Sequence, residues 1–231
     1  MRPGERPEIA RLPLFREMQD EQRERIFSGA FLQVFPPQLT LFEIGQHADF
    51  LHVLVDGLVE LYATSAGRDT TMRIIEPVTS FIQAAVVTDM PYLMSARTLA
   101  PSRILLIPAP LMREVIKEDT ALMQATMREL AIAYRNMVRA LTDMKLRQSA
   151  ERLGNLILQQ ERRQGGTGKV RLRAEKRLLA SLLGMTPENL SRAFAVLGSH
   201  GLAVNGAELT IVDRAALEAY SKPDVVPEEL F

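Results

Sequence analysis

The sequence predicts an α+β chain in three consecutive parts: a β-roll of short strands, one long helix, and a helix-turn-helix followed by a hairpin. Three observations support this prediction. Short apolar runs separated by turn residues extend from Phe31 to about Pro108. Helical periodicity replaces them from Ala109 to Gln164, and two short helical patterns with a hairpin signal follow. We therefore predict domains at residues 1–118, 119–147 and 148–231.

The composition excludes several classes of function. The 231 residues include no cysteine, which excludes a disulfide scaffold, a thiol nucleophile and a cysteine-ligated iron–sulfur cluster. No apolar run reaches the roughly 18 residues of a membrane span, and the N-terminus lacks the apolar core of a signal peptide. These absences predict a cytoplasmic protein with no membrane partner. A balance of 28 Lys+Arg against 28 Asp+Glu suggests no overall attraction to nucleic acid.

The first part of the chain has the texture of strands rather than helices. Asp56-Gly57 lies between two apolar runs, and this dipeptide favours a type I′ hairpin because both central residues need positive φ. Gly45, Gly67 and Pro36-Pro37 mark other turns. We expect an all-β barrel or roll. The predicted strands are Phe31–Phe35, Phe50–Val55, Leu58–Thr64, Thr71–Ile75 and Arg103–Ile107.

The long helical part carries a narrow apolar stripe. Its members alternate in steps of four and three residues, which is the a/d spacing of a coiled coil, and polar residues fill the other positions. This pattern predicts a homodimer seam. The alternative is the buried face of an ordinary helix packed on its own domain. The predicted seam residues are Met123, Met127, Leu130, Tyr134, Met137, Leu141 and Met144.

The third part contains the signals of a winged helix. Leu178, Leu179, Leu182 and Leu183 form the apolar face of a short helix that Gly184 can end. Thr186-Pro187-Glu188 can start a second helix, and two helices joined by so short a turn make a helix-turn-helix. Downstream, Asn205-Gly206 separates two short strand patterns and predicts a hairpin.

The exposed face of the second helix carries residues that can read DNA bases. Glu188, Ser191 and Arg192 lie near its N-terminus, where a recognition helix meets base edges in the major groove. Arginine pairs with guanine through two hydrogen bonds and glutamate accepts from cytosine, so the pair suits a G·C base pair. The alternative is a surface ion pair between Glu188 and Arg192, which are one helical turn apart.

The zero net charge conceals an uneven distribution. From Lys145 to Arg192 the chain has eleven basic residues against four acidic ones. Such an excess favours double-stranded DNA as the partner, because cationic side chains neutralise phosphates. The predicted phosphate contacts, which precede or begin the two helices of the motif, are Arg171, Arg173, Lys176, Arg177 and Thr186.

Two segments, Leu41–Leu61 and Leu182–Arg192, resemble the CRP/FNR superfamily of bacterial transcription regulators. Glu188, Ser191 and Arg192 match the Glu-x-x-Ser-Arg pattern of the FNR-type recognition helix. The resemblance implies a cyclic-nucleotide-binding-like jelly roll, a dimerisation helix and a winged helix. It also implies a homodimer on a palindrome with half-sites like TTGAT, RNA polymerase as a partner, and control by a small effector.

The chain departs from the cyclic-nucleotide binders of this superfamily. Those proteins hold the ribose with a Gly-Glu pair and the phosphate with an Arg-Ser pair, whereas this chain reads Phe81–Ala85 and Tyr92–Arg97 at the corresponding positions, without either pair. Arg97 falls on the strand that follows. We therefore expect an effector other than cyclic AMP. A constitutive regulator and a cyclic-nucleotide-responsive one are the alternatives.

Without cysteines and without the cyclic-nucleotide pairs, the chain resembles the DNR/NNR type of the superfamily. Regulators of this type have no cysteine, respond to nitric oxide, and have haem as the suspected sensor. This resemblance implies an apolar effector pocket, for which we predict Phe81, Ile82, Tyr92 and Met94. His47 and His52 are the imidazole candidates for a haem ligand. Alternatively, His47 is a solvated turn residue and His52 a surface strand residue. His200, beyond the recognition helix, is predicted to cap that helix.

Catalysis is not expected. The ionisable residues of the roll are scattered, and the sequence has no nucleophile elbow, phosphate-binding glycine loop or HExxH metal pair. The tail Ser221–Phe231, rich in Pro, Glu and Asp, is predicted to be a loose end.

Overall fold

The computed structural model describes residues 1–223, which form two compact units. The first is Met1–Tyr134, and the second begins at Arg135. Within residues 1–223, none of the helices combines the length and the hydropathy of a membrane-spanning segment.

The first unit is a two-sheet roll with helices at its N-terminus. A 3₁₀ turn at Pro3–Glu5 precedes α1 (Arg6–Ala10) and α2 (Asp20–Gly29). The strands are β1 (Phe31–Phe35), β2 (Thr40–Phe42), β3 (Phe50–Asp56), β4 (Val59–Ser65), β5 (Arg68–Ile75), β6 (Thr79–Phe81), β7 (Ser95–Thr98) and β8 (Ser102–Pro108). They form two four-stranded sheets with the orders β1-β8-β3-β6 and β2-β7-β4-β5.

All five predicted strands are present, with ends shifted by at most a few residues. The N-terminal helices and the short strands β2, β6 and β7 were not predicted from the sequence. Strands of three or four residues offer too little alternation to be recognised.

The predicted hairpin at Asp56-Gly57 is wrong. β3 pairs with β6 and β8, whereas β4 pairs with β5 and β7, so this turn carries the chain from one sheet to the other. Gly57 is still required there, because its φ is +105° and an added Cβ would lie 2.6 Å from the Pro101 carbonyl oxygen. The tight hairpin is instead at Ala66-Gly67, between β4 and β5, where both residues have positive φ.

Three helices follow within and beyond the roll: α3 (Gln83–Thr88), α4 (Ala109–Glu118) and α5 (Thr120–Leu146). Asp119 separates α4 from α5, and its buried carboxylate accepts hydrogen bonds from the Leu122 and Gln19 amides at 2.7 and 2.9 Å. It therefore caps α5 and also fixes the chain that enters α2. The continuous helical pattern of the sequence is thus divided at Asp119.

The second unit contains the winged helix. After α6 (Ser149–Arg163), the elements are β9 (Lys169–Arg171), α7 (Lys176–Leu182), α8 (Pro187–Gly198), β10 (Leu202–Asn205), β11 (Glu208–Ile211) and α9 (Arg214–Ser221). The three strands form one antiparallel sheet in the order β10-β11-β9. The predicted hairpin is confirmed, although Asn205 pairs with Glu208 and the two loop residues are Gly206 and Ala207.

The beginning of the predicted loose tail is ordered. Ser221 ends α9 and is buried, and Lys222 caps that helix in a left-handed conformation. The rest of the predicted tail, from residue 224, lies outside the described residues. The compact units divide within α5, and the three-domain division at 118/119 and 147/148 stays a prediction.

A candidate nucleic-acid interface

The two helices of the helix-turn-helix are joined at Gly184. This glycine has φ +61°, and an added Cβ would lie 2.4 Å from the Met144 methyl carbon, so the terminal methyl of Met144 lies against the turn. Thr186 begins α8, because its side-chain oxygen accepts a hydrogen bond from the Asn189 amide at 3.3 Å. Thr186, predicted as a phosphate contact, therefore has a structural role at the helix start.

One face of α8 is buried and the other is exposed. Leu190, Phe194 and Leu197 pack in a core shared with α6, α7 and the small sheet. Glu188, Ser191 and Arg192 are all exposed on the opposite face. The packing therefore holds the three predicted base-reading side chains on one accessible surface.

Glu188 and Arg192 do not form the surface ion pair that the sequence left open. No ion pair within 4.0 Å joins these two described residues. A hydrogen bond from the Thr186 hydroxyl, with smaller effects that include the charge of Arg192, lowers the pKa of the Glu188 carboxyl. The carboxylate is therefore ionised at neutral pH and can accept a hydrogen bond, and the Arg192 guanidinium can donate one.

Ser191 is partly engaged within α8. Its hydroxyl donates to the Pro187 carbonyl oxygen, one turn earlier, at 3.1 Å. The hydroxyl oxygen can still accept a hydrogen bond, whereas donation to a base would require the side chain to rotate.

The four predicted phosphate-binding cations are exposed. Lys176 and Arg177 are in the first turn of α7, Arg173 precedes that helix, and Arg171 ends β9. Within the described part of the chain, none of these four side chains forms an ion pair. Unpaired cations on the surface of a helix-turn-helix are suited to phosphate contacts.

Two other arginines of the basic segment are not part of this surface. Arg147 and Arg152 donate to backbone carbonyls of the second unit, at Ser221 and Leu183 respectively. A count of charges along the sequence could not separate these internally bonded cations from the exposed ones.

The predicted seam of α5 is largely exposed. Leu122 and Thr126, on another face of the helix, are buried. Met127, Tyr134 and Met137 expose 63 to 64% of their surfaces. Among the seven predicted residues Leu130 is half-buried, and Met123, Leu141 and Met144 are exposed as well. The alternative of a face buried within its own domain is therefore wrong for most of the stripe.

The interior of the roll contains an aromatic cluster. Phe42, His52, Phe81 and Tyr92 have ring centroids 4.0 to 6.5 Å apart. Phe81 and Tyr92, two of the predicted effector-pocket residues, are buried there, while Ile82 and Met94 are half-buried. Burial raises the pKa of Tyr92 to about 12, and its hydroxyl donates to the Phe50 carbonyl oxygen at 3.4 Å.

His52 is not the surface residue that the sequence allowed. It is 5% exposed, burial lowers its pKa to about 4, and its Nδ1 has no hydrogen-bond partner among the described residues. The sequence could not reveal this, because β3 is buried on both faces.

The histidines do not fit the predicted haem. The ring centroids of Phe42 and Phe81 lie 5.1 and 5.3 Å from that of His52, so an iron bound to this imidazole would have to displace the aromatic packing around it. His47 is exposed, as one reading of the sequence expected, and its two ring nitrogens face Asp49 and Asp89 at 3.0 and 3.3 Å.

Arg97 is occupied by other partners. Its Nε lies 2.7 Å from the buried Glu60 carboxylate, its Nη1 lies 3.0 Å from Asp69, and its guanidinium lies over the Tyr62 ring. A cyclic phosphate would have to displace two carboxylates to bind this arginine.

His200 caps α8 as predicted. Its Nδ1 donates to the Val196 carbonyl oxygen at 2.9 Å, and its ring packs on Tyr220. The sequence did not predict β9, which extends the hairpin into a three-stranded sheet and positions Arg171. Its only signal is the polar-apolar-polar alternation of Lys169-Val170-Arg171.

The chain matches known families and structures over both units. Residues 32–119 match the cyclic nucleotide-binding domain, and residues 151–220 match the Crp-like helix-turn-helix domain. FixK2 from Bradyrhizobium japonicum is 18% identical with a TM-score of 0.75, covering 86% of this chain and 99% of that chain. A candidate cAMP-binding regulatory protein from Silicibacter pomeroyi DSS-3 is 26% identical with a TM-score of 0.59, covering 90% and 94%.

DNR from Pseudomonas aeruginosa is 21% identical with a TM-score of 0.50, covering 95% of this chain and 99% of that chain. No curated protein is significantly similar to this chain.

A cyclic nucleotide-binding domain followed by a Crp-like helix-turn-helix domain defines a DNA-binding transcription regulator, and not an enzyme. The predicted fold is confirmed. The chain belongs to the CRP/FNR family, whose regulators bind DNA and act as dimers.

Proposed function

We propose that the protein binds palindromic double-stranded DNA as a homodimer, with half-sites like TTGAT. The observation that carries this proposal is that Glu188 and Arg192 are both exposed on α8 and form no ion pair with each other. Two recognition helices about 34 Å apart would enter successive major grooves on one side of the duplex.

Base reading is assigned to three side chains of α8. Arg192 would donate two hydrogen bonds to guanine, and Glu188 would accept one from the N4 amino group of cytosine. Ser191, whose hydroxyl proton is engaged with the Pro187 carbonyl, would act as an acceptor. This division of roles accounts for the G·C pair of the half-site and leaves its A·T pairs to other contacts.

Phosphate binding is assigned to Arg171, Arg173, Lys176 and Arg177. Their charges are exposed and unpaired within the described residues. Each neutralised phosphate releases condensed counterions, so the affinity should fall steeply as salt rises. Thr186 stays a proposed phosphate contact only through its backbone amide, because its side-chain oxygen caps α8.

Dimerisation is assigned to the exposed stripe of α5. Apolar residues at a/d spacing along a helix are stabilised when a second helix packs against them. The seven predicted seam residues include four methionines, whose flexible side chains adapt to a partner surface.

The effector is proposed to be a small molecule other than cyclic AMP. The S. pomeroyi protein named as a candidate cAMP-binding regulator has the same fold. This chain, however, lacks the Gly-Glu and Arg-Ser pairs, and its Arg97 forms ion pairs with Glu60 and Asp69. A nitric-oxide response through haem gains no support from His47 or His52, whose surroundings do not fit an axial ligand. RNA polymerase as a partner remains a proposal from the family resemblance. A cytoplasmic location remains a proposal from the sequence, which has neither an apolar membrane span nor the apolar core of a signal peptide.

A fluorescence titration tests the proposal. The labelled duplex TTGAT-N4-ATCAA and a scrambled duplex of the same composition are titrated at two salt concentrations. We expect tighter binding to the palindrome and a steep loss of affinity with salt. Equal affinity for both duplexes would contradict sequence-specific binding. Arg11→Ala, which removes an exposed charge from the first unit, serves as the matched control and should bind as the wild type does.

A further inference from the structure

We propose that Arg147 and Arg152 are positioning residues that hold the helix-turn-helix and α9 to the last turn of α5, and so set the spacing between the two half-sites. This inference rests on the proposed homodimer. Neither residue lies on the proposed DNA-reading face of α8, so each acts through the elements that it holds.

Arg147 joins the end of α5 to the end of α9. Its Nε donates to the Asp143 carboxylate at 2.5 Å, one turn earlier in the same stretch of chain. Its Nη1 donates to the Ser221 carbonyl oxygen at 2.9 Å and also to that of Lys222. These carbonyls lie at the C-terminus of α9, where a cation is favoured by the helix dipole.

Arg152, on α6, holds the turn of the helix-turn-helix. Its Nε donates to the Leu183 carbonyl oxygen at 3.0 Å, and its Nη1 donates to the Arg147 carbonyl oxygen at 2.8 Å. Leu183 is the C-cap residue of α7. One planar guanidinium therefore connects the chain between α5 and α6 with the residue that precedes Gly184.

Close packing makes α9 a rigid support for this arrangement. An added Cβ at Gly154 of α6 would lie 1.9 Å from the Ser221 hydroxyl oxygen, so the two helices touch there with no intervening side chain. The Lys222 ammonium lies 2.8 Å from Glu151, whose carboxylate also accepts from the Gln148 amide at the start of α6.

The contacts have a common consequence. Arg147 exposes only 13% of its side chain, so its charge-assisted bonds are partly shielded from water and resist distortion. Each guanidinium donates in two directions at fixed angles, which a lysine ammonium on a flexible stem cannot reproduce. In a dimer joined along α5, these bonds would fix where each recognition helix sits relative to the dimer axis.

A spacer series tests the inference. Duplexes with two to six base pairs between the half-sites are titrated with wild type, Arg147→Met, Arg147→Lys and Arg152→Met. For each protein, the affinity for the best spacer length is divided by the affinity for the adjacent lengths, and these ratios are compared. Wild type should prefer one spacer, and the ratio should fall by about tenfold in the variants, as expected when a charge-assisted bond is lost. Asp143→Asn, a milder change, should reduce the ratio less, and it provides the test if an arginine variant fails to fold.

A purely structural role would predict a different result. General destabilisation lowers affinity for every spacer alike and leaves the ratio unchanged, and this outcome would overturn the inference. Arg162→Met, which removes an exposed charge from α6 outside the network, is the control and should keep the wild-type ratio. If wild type binds the palindrome no better than a scrambled duplex, the proposed function itself fails.

Discussion

Gln83 of α3 donates a hydrogen bond to the carboxylate of Glu129 on α5. The Ser80 hydroxyl also donates to Glu129, and the Gln83 amide lies 2.6 Å from that hydroxyl. Gln83 is buried, and it belongs to the stretch Phe81–Ala85, which takes the place of the ribose-binding pair in the family resemblance. The roll of this protein is therefore tied to α5 by its own side chains.

Glu129→Leu should destabilise the protein. The substitution removes the carboxylate that accepts from the Ser80 hydroxyl and from the buried Gln83 amide, which keeps only its contact with Ser80. Partners left unsatisfied in a buried position cost about 1–3 kcal/mol. Urea unfolding at fixed protein concentration measures the change. Gln124→Leu makes a comparable polar-to-apolar change at an exposed position of α5 and should leave the unfolding free energy nearly constant. Equal effects of the two variants would show that the Gln83–Glu129 contact is not stabilising.

Met137→Glu should convert the dimer to a monomer. Met137 exposes 63% of its surface in the stripe of α5, and a dimer would bury a carboxylate there against an apolar partner. Light scattering after size-exclusion chromatography measures the mass. Asn136→Glu introduces the same charge at the adjacent position, off the stripe, and should remain dimeric. A dimeric Met137→Glu protein would exclude this stripe as the seam.

Arg192→Ala should lose discrimination at the G·C pair of each half-site. The expected loss is about 1–3 kcal/mol, the range for one bidentate contact with guanine. Affinities for TTGAT duplexes and for duplexes with that pair exchanged measure it. If the variant instead loses the same affinity for every duplex sequence, Arg192 contacts phosphate. Arg177→Ala, at a proposed phosphate contact, should show that even loss.

Local signals in the sequence were sufficient to predict the helix-turn-helix. Thr186-Pro187 starts α8, Gly184 ends the preceding turn, and the step of four and three from Leu190 to Leu197 distinguishes the buried face from the exposed one. Each of these features is determined by neighbouring residues in the chain. The recognition face could therefore be predicted without knowing the tertiary structure.

Features that depend on distant parts of the chain could not be predicted in this way. The Asp56-Gly57 signal is local, but the sheets that it connects are determined by strands on both sides of the roll. Similarly, Arg147 appears as one charge in a basic segment, whereas its partner Ser221 is 74 residues away. The chemistry of the effector site depends on such contacts, which explains why the sequence left several alternatives open.

His52 should make folding pH-dependent. Burial lowers its pKa from the ordinary 6.5 to about 4, so between these values the unfolded chain binds a proton that the folded protein excludes. Stability should therefore fall as the pH drops from 6.5 to 4, by about 3 kcal/mol in total. His52→Phe removes the titrating ring, so its unfolding free energy, measured with urea, should fall less between pH 6.5 and 4 than that of the wild type. Phe81→Leu, which alters the same aromatic cluster but keeps the imidazole, should show the wild-type fall, and the same fall in His52→Phe would contradict the assignment.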